Sequence, residues 1–190
     1  FRSLESVGFK REEVYIANIV KCRPPNNRNP YEEESEKCLD FLRWQVKIID
    51  PSIIVCLGAV SARNIIDKDF RITQSRGVWY TKGKFHVIAT YHPAALLRDE
   101  SKKIDAWKDL KSIREKYNDL KEEKIKALNK RIMEAYPDEK LVLGRGNLNS
   151  PIVLVGEAPG RKEVEFNEPF VGQAGKHLDE FLQVLELDKE

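Results

Sequence analysis

The sequence predicts an α/β domain built on a mainly parallel central sheet, and three observations point there. Short β-branched apolar runs alternate with longer stretches of helical periodicity. Several of those runs end in glycine or proline, as strands do where they hand the chain to a loop or helix. At 190 residues the chain is long enough for one well-packed domain and too short for two ordinary ones.

The elements follow in order. Phe1 to Phe9 fits the end of a short amphipathic helix closed by Gly8, and Glu13 to Val20 has the composition of a buried strand. Lys21 to Pro30 carries three prolines and three asparagines, which favour a loop. Glu32 to Ile49 places Leu39, Leu42, Val46 and Ile49 on one helical face, and Asp50-Pro51 stops that helix. Ser52 to Leu57 is a second buried strand, with Gly58 opening a helix. Gly77 to Lys82 and Lys84 to Thr90 fit two strands joined at Lys82-Gly83. Asp105 to about Lys130 is a long, highly charged helical pattern, one helix or two in succession. Lys140 to Leu143 and Ile152 to Val155 are two more strand candidates, and Gly175 to Leu187 a final amphipathic helix. In parallel sheets functional residues gather at the C-terminal strand ends. That selects the loops after Val20, Thr90 and Val155.

Composition narrows the function classes. Hydrophobic residues make up 41% and charged residues 34%, a globular profile, and no apolar run approaches the roughly 20 residues of a membrane span. Phe1 to Ser6 contains no signal-peptide core. A net charge of +2 confines any phosphate-binding surface to a local patch. Three cysteines do not make a disulfide scaffold, so a reducing, cytoplasmic setting is expected.

Each loop carries candidate chemistry. Gly156-Glu-Ala-Pro-Gly160 makes a tight turn that lets backbone approach a ligand and holds Glu157 at the mouth of the sheet. A carboxylate there can orient water or stabilise a cationic transition state, although the motif taken alone favours a plain turn with Glu157 exposed. Phe170 is either a core plug or a platform for a nucleobase. Asn18, inside an apolar run, needs hydrogen-bond partners, and its amide matches the O4 and N3–H edge of uracil as well as nearby backbone. His92 ends a strand before Pro93 and could donate to an oxyanion on a departing base, or merely cap a turn. His86 and His177 receive no role.

Together these segments form one pattern. Gly156-Glu-Ala-Pro-Gly160, Glu168-Pro-Phe-Val-Gly-Gln-Ala-Gly175, the run from Tyr15 to Pro30 and Thr90-Tyr-His-Pro-Ala-Ala-Leu-Leu-Arg98 closely resemble the motifs of the family 4, iron–sulfur uracil-DNA glycosylases. The resemblance covers nearly the whole chain. It implies a three-layer α/β/α fold with four to five central strands, mainly parallel, and an enzyme of base excision repair. Such an enzyme flips deoxyuridine out of DNA and hydrolyses its N-glycosidic bond, leaving an abasic site. Carried onto matching positions, Glu157 would activate water, with Glu163 a secondary acidic candidate. His92 would stabilise charge on uracil O2. Asn18 would pair with the base edge, Phe170 would stack on it, and Gly156 and Ala158 would line its pocket. Asn26, Arg28 and the segment Ala94 to Arg98 would contact DNA, with Leu96 or Leu97 as a wedge.

Two departures accompany the resemblance. The family's 4Fe–4S cluster takes four cysteines. Cys22 and Cys38 match two of them, Cys56 fits a buried apolar residue, and Asn129 to Ile132 holds no cysteine where the first pair is expected. No cluster and no other cofactor is therefore expected. The motif order is also permuted: residues 1–120 match the family's C-terminal part and 121–190 its N-terminal part, with a seam near Leu120-Lys121. The 190 residues would form a single domain whose halves meet within one chain or swap in a homodimer. The expected partner is uracil-containing DNA, with no membrane. A non-catalytic nucleic-acid-binding relative, or a different α/β hydrolase or transferase, would use the same loops.

Overall fold

The computed structural model describes residues 2–150, 152–184 and 186. They form two compact units, Phe1–Tyr117 and Asn118–Glu190. The first contains helices α1 (Arg2–Glu5), α2 (Glu32–Ile49), α3 (Ala59–Ile65), α4 (Ile72–Ser75) and α5 (Pro93–Arg98), with strands β1 (Ile53–Leu57), β2 (Trp79–Lys82) and β3 (Phe85–Thr90). Helix α6 (Lys102–Ala135) begins in it and ends in the second unit, which adds α7 (Arg161–Phe166) and α8 (Gln173–Val184).

The sheet is mixed and ordered β1-β3-β2. β1 runs parallel to β3, with Ile53 opposite His86 and Leu57 opposite Thr90. β2 turns back antiparallel, Trp79 opposite Ile88, through the tight turn at Gly83, whose φ of 60° suits glycine. Side chains alternate along β3, and both faces are covered. Val87 and Ala89 pack with Cys56, Ala62, Ile66 and Phe70 on one side, while Ile88 packs with Phe9 and Ile113 on the other. Burial in the first cluster pushes the Cys56 thiol up to about 12, as expected of a cysteine used as a small hydrophobe. The α/β class and the elements at Ser52–Leu57, Gly77–Lys82, Lys84–Thr90 and Glu32–Ile49 are thus as the sequence predicts.

Three predicted strands differ. Glu13–Val20 is a short 3-10 turn (Arg11–Glu13) followed by unpaired chain, with Tyr15, Ile16 and Asn18 exposed. Lys140–Leu143 is irregular. Ile152–Val155 is unpaired, with Val153 81% and Val155 87% exposed. A strand exists only through its hydrogen-bonded neighbour, so composition marks candidates without pairing them. Among the described residues the sheet has three strands.

The helix limits have local causes. Helix α2 starts with Glu32, Glu33 and Glu34 in its first turn, where carboxylates complement the helix dipole, and the Tyr31 N–H donates to Glu34 Oε2 at 2.8 Å. It ends at Asp50, which adopts φ 50° before Pro51. The charged pattern expected from Asp105 is one continuous helix, α6, with no break at Leu120-Lys121. Ala106, Asp109 and Ile113 form its buried stripe. The terminal helix α8 buries Gly175 and Leu182; Leu185 and Leu187, part of the predicted helix, lie outside the described residues.

Candidate active site

In the first unit the site is built on the C-terminal ends of β1 and β3. β3 delivers Thr90, Tyr91 and His92, and Pro93 opens α5. His92 is the N-cap of that helix: its Nδ1 accepts the Ala94 N–H at 3.1 Å. In a neutral imidazole an accepting Nδ1 assigns the proton to Nε2, so the exposed His92 presents an N–H outward. Capping and donation are therefore compatible roles of one ring. Behind it, Gly58 at φ 88° donates its N–H to the Thr90 carbonyl at 2.8 Å. A Cβ on Gly58 would stand 3.0 Å from His92 Cβ, so only glycine lets the two strand ends come this close.

Helix α5 presents Leu97, 84% exposed, while Leu96 is half-buried, which separates the two wedge candidates. Arg98 donates from Nε to the Ala94 carbonyl at 3.2 Å. Asn18, expected inside a strand, lies exposed in irregular chain; its carbonyl accepts Lys21 Nζ at 2.8 Å, which also donates to Gln45 Oε1 of α2 at 2.8 Å. The loop it opens is as irregular as its prolines require. Asn26 and Asn27 adopt φ 54° and 56°, and Asn27 Oδ1 accepts Arg23 Nε at 2.6 Å. Arg28 lies 3.8 Å over the Tyr31 ring and grips Glu34 with two bonds of 2.7 Å.

That ion pair has a pH signature. The Arg28 guanidinium, with the Tyr31 N–H, holds the Glu34 carboxyl down to about 2 from an ordinary value of 4.5. A depressed folded-state value contributes stability that is complete above 4.5 and lost as the pH falls through about 2. Thermal melts across that window should show a steeper acid loss for the parent than for Glu34→Gln. Parallel pH curves would refute the assignment.

The second unit holds the other candidates. Glu157 and Ala158 form an exposed bend. The half-buried Phe170, at φ 56°, turns its ring onto Gly156, where a Cβ would stand 2.8 Å from Cζ. Its carbonyl occupies the space a Cβ on Gly175 would need. Glu163, on α7, accepts the Gly172 N–H at 2.7 Å, and backbone N–H donors led by Gly172 lower its pKa. Its Oε2 also lies 2.7 Å from where a Cβ on Gly160 would be. Glu163 is thus the clasp of the loop that carries Phe170. Arg145 pairs with Glu168 of the same loop at 2.7 Å. The structure brings Gly156, Phe170 and Glu163 together in one loop, and His92 together with Gly58 and Thr90 in the other unit.

An iron–sulfur cluster of the kind the resemblance implies needs four thiolates held close together. Cys22 is exposed, Cys38 half-buried and Cys56 buried in the apolar core. Asn129 to Ile132 lie within α6, and no group of three or more His, Cys, Asp or Glu side chains among the described residues could hold a metal. These residues do not fit a four-thiolate cluster.

Sequence comparison bears on this geometry. The profile of the uracil DNA glycosylase superfamily matches residues 1–121 and 143–190. The type-4 uracil-DNA glycosylase of Archaeoglobus fulgidus is 45% identical over 120 residues, covering 59% of this chain and 60% of that protein. That of Thermotoga maritima is 47% identical over 104 residues, covering 53% and 54%. That of Sulfurisphaera tokodaii is 44% identical over 119 residues, covering 58% and 54%. The chain spans a little over half the length of these relatives. With both matched segments carrying the loops described above, the chain belongs to the uracil DNA glycosylase superfamily.

Proposed function

We propose that this chain acts as a uracil-DNA glycosylase, hydrolysing the N-glycosidic bond of flipped-out deoxyuridine in base excision repair. The observation that carries this reading is the hydrogen bond from the Ala94 N–H to His92 Nδ1 at 3.1 Å. The capped Nδ1 leaves Nε2–H as a fixed donor for the anion that grows on uracil O2 as the bond breaks. Fixed donors matter because uracil leaves readily only if that charge is met. The sugar meanwhile becomes cationic and favours a carboxylate, the role given to Glu157, which also directs the attacking water. Phe170 stacks on the base, Asn18 reads its edge, and Gly156 and Ala158 allow close backbone approach. Glu163 keeps the Phe170 loop in shape. Leu97 fills the gap left by the flipped nucleotide, while Asn26, Arg28, Ala94, Leu96 and Arg98 face the strand.

The finer architecture belongs to the same proposal. It includes a three-layer α/β/α architecture with four to five central strands, mainly parallel, in permuted order within a single domain. That assembly forms within one chain or by exchange between two, and size-exclusion chromatography with light scattering separates these arrangements. No cluster takes part in catalysis, because Cys22 and Cys38 supply two thiolates where four are needed. Their free thiols suit a reducing, cytoplasmic setting.

Incubation with uracil-containing single- and double-stranded oligonucleotides, followed by alkaline cleavage, tests the reading. Abasic sites should form with the parent and fall by at least about a hundredfold in Glu157→Ala, the scale on which acid–base groups act. A second reading, a nucleic-acid-binding relative without turnover, is favoured by the incomplete cysteine set. It predicts salt-sensitive DNA binding with no cleavage. Absence of DNA binding would refute both.

A further inference from the structure

Two residues before His92, Thr90 joins a buried polar cluster with Asp109 and Arg76. Asp109 sits on the buried stripe of α6, its side chain only 4% exposed. Its Oδ2 accepts Thr90 Oγ1 at 2.6 Å, and its Oδ1 accepts Arg76 Nη1 at 2.6 Å. Arg76, 18% exposed, reaches Asp105 as well, from Nη2 to Oδ1 at 2.8 Å and from Nη1 to the backbone carbonyl at 3.1 Å. Its guanidinium carbon lies 5.4 Å from the centroid of the Tyr91 ring. The neighbouring Gly77, at φ 73°, donates its N–H to the Ala89 carbonyl at 2.9 Å, and a Cβ there would stand 2.6 Å from Asp109 Oδ1.

A charge on a core position of a helix is costly unless every lone pair finds a donor, and shape alone would be served by leucine. Here both carboxylate oxygens are met, and both partners bear on one short segment. Thr90 is the last residue of β3, Tyr91 follows it, and His92 comes next. The bonds are charge-assisted and short, the kind that fix orientation best. The Thr90 hydroxyl is held from one side by α6 and its carbonyl from the other by Gly58, so the backbone entering His92 has little rotational freedom.

We infer that Asp109, acting through Thr90 and Arg76, is a positioning residue that sets the direction of the His92 Nε2–H. The inference rests on the glycosylase reading for its effect on rate, but its effect on the His92 ring can be read without DNA. Two measurements on the full chain test it: single-turnover excision with DNA affinity determined separately, and nitrogen-15 NMR of the His92 imidazole in the free protein. Thr90→Val keeps the shape and removes the hydroxyl. It should slow excision about tenfold to a hundredfold, the range for a lost hydrogen bond to a charged group, while DNA affinity stays within about twofold. It should also move the His92 nitrogen signals, and Thr90→Ser should restore both rate and spectrum. Arg76→Lys, which keeps the charge but loses the fork, should shift the same signals by a smaller amount. His92 signals in Thr90→Val and Arg76→Lys that coincide with the parent's would overturn the inference. So would a Thr90→Val loss confined to DNA affinity, or one that Thr90→Ser fails to restore. A parent that excises nothing would refute the glycosylase reading alone, leaving the NMR comparison to decide the positioning role.

Discussion

His92→Ala should lower the single-turnover rate of uracil excision by about a hundredfold to a thousandfold, the cost of removing one preorganised donor from a developing oxyanion. DNA affinity should change little, because the ring meets charge that exists only as the glycosidic bond breaks. Stability should fall by about 1 kcal/mol, because the Ala94 N–H loses its cap. The rate and the melting temperature thus report two jobs of one ring. His92→Asn separates them, since an asparagine side chain restores the cap without returning a donor to the Nε2 position. Recovery of thermal stability without recovery of rate is the expected result. A His92→Ala enzyme within about threefold of the parent would remove His92 from the chemistry.

Gly175→Ala should be damaging for a different reason. The Phe170 carbonyl occupies the space that a Cβ on Gly175 would need, on the buried side of α8. Backbone on both sides leaves no flexible side chain to yield, so the loop or the helix start must shift. Overpacking of this kind costs about 1–3 kcal/mol and sometimes more. The shift would carry Phe170 off Gly156 and loosen the Glu163–Gly172 clasp. Amide hydrogen exchange should quicken over residues 160–184 while the amides of β1 and β3 keep the parent's protection. Excision should fall with it. Gly175→Ala with unchanged exchange would mean that the loop tolerates another path.

Much of the architecture was legible from the residues. Glu32 to Ile49 carries its own start and stop signals, and its limits are local chemistry: carboxylates in the first turn, a left-handed Asp50 and then Pro51. The strands ending at Leu57 and Thr90 are apolar runs closed by Gly58 and His92-Pro93. Three other runs, Glu13–Val20, Lys140–Leu143 and Ile152–Val155, have strand composition but are unpaired among the described residues, because a ladder is a property of two segments. Of the candidate site, the sequence marked the segments that carry its residues. His92 and Phe170 stand outside the helices and strands where they were expected, whereas Glu163 lies on α7 instead of in a loop and Asn18 is exposed instead of lying within a strand. Thr90, Asp109, Arg76 and Gly58 were passed over. Asp109 did leave a trace, a carboxylate at a core position in the spacing Ala106, Asp109, Ile113.

What the sequence by itself determined is therefore local and chemical. Helix limits, turn positions, the apolar strands of the core and the residue types at the strand ends all follow from side-chain size, periodicity and backbone freedom within a few residues. Only the tertiary structure decided which strands pair, that β3 is covered on both faces, and that the strand end bearing His92 is held by Asp109 and Arg76, 17 and 16 residues away along the chain. Those features depend on groups distant in sequence satisfying one another's hydrogen bonds and excluding one another's water. Such satisfaction has no period to read in a linear string.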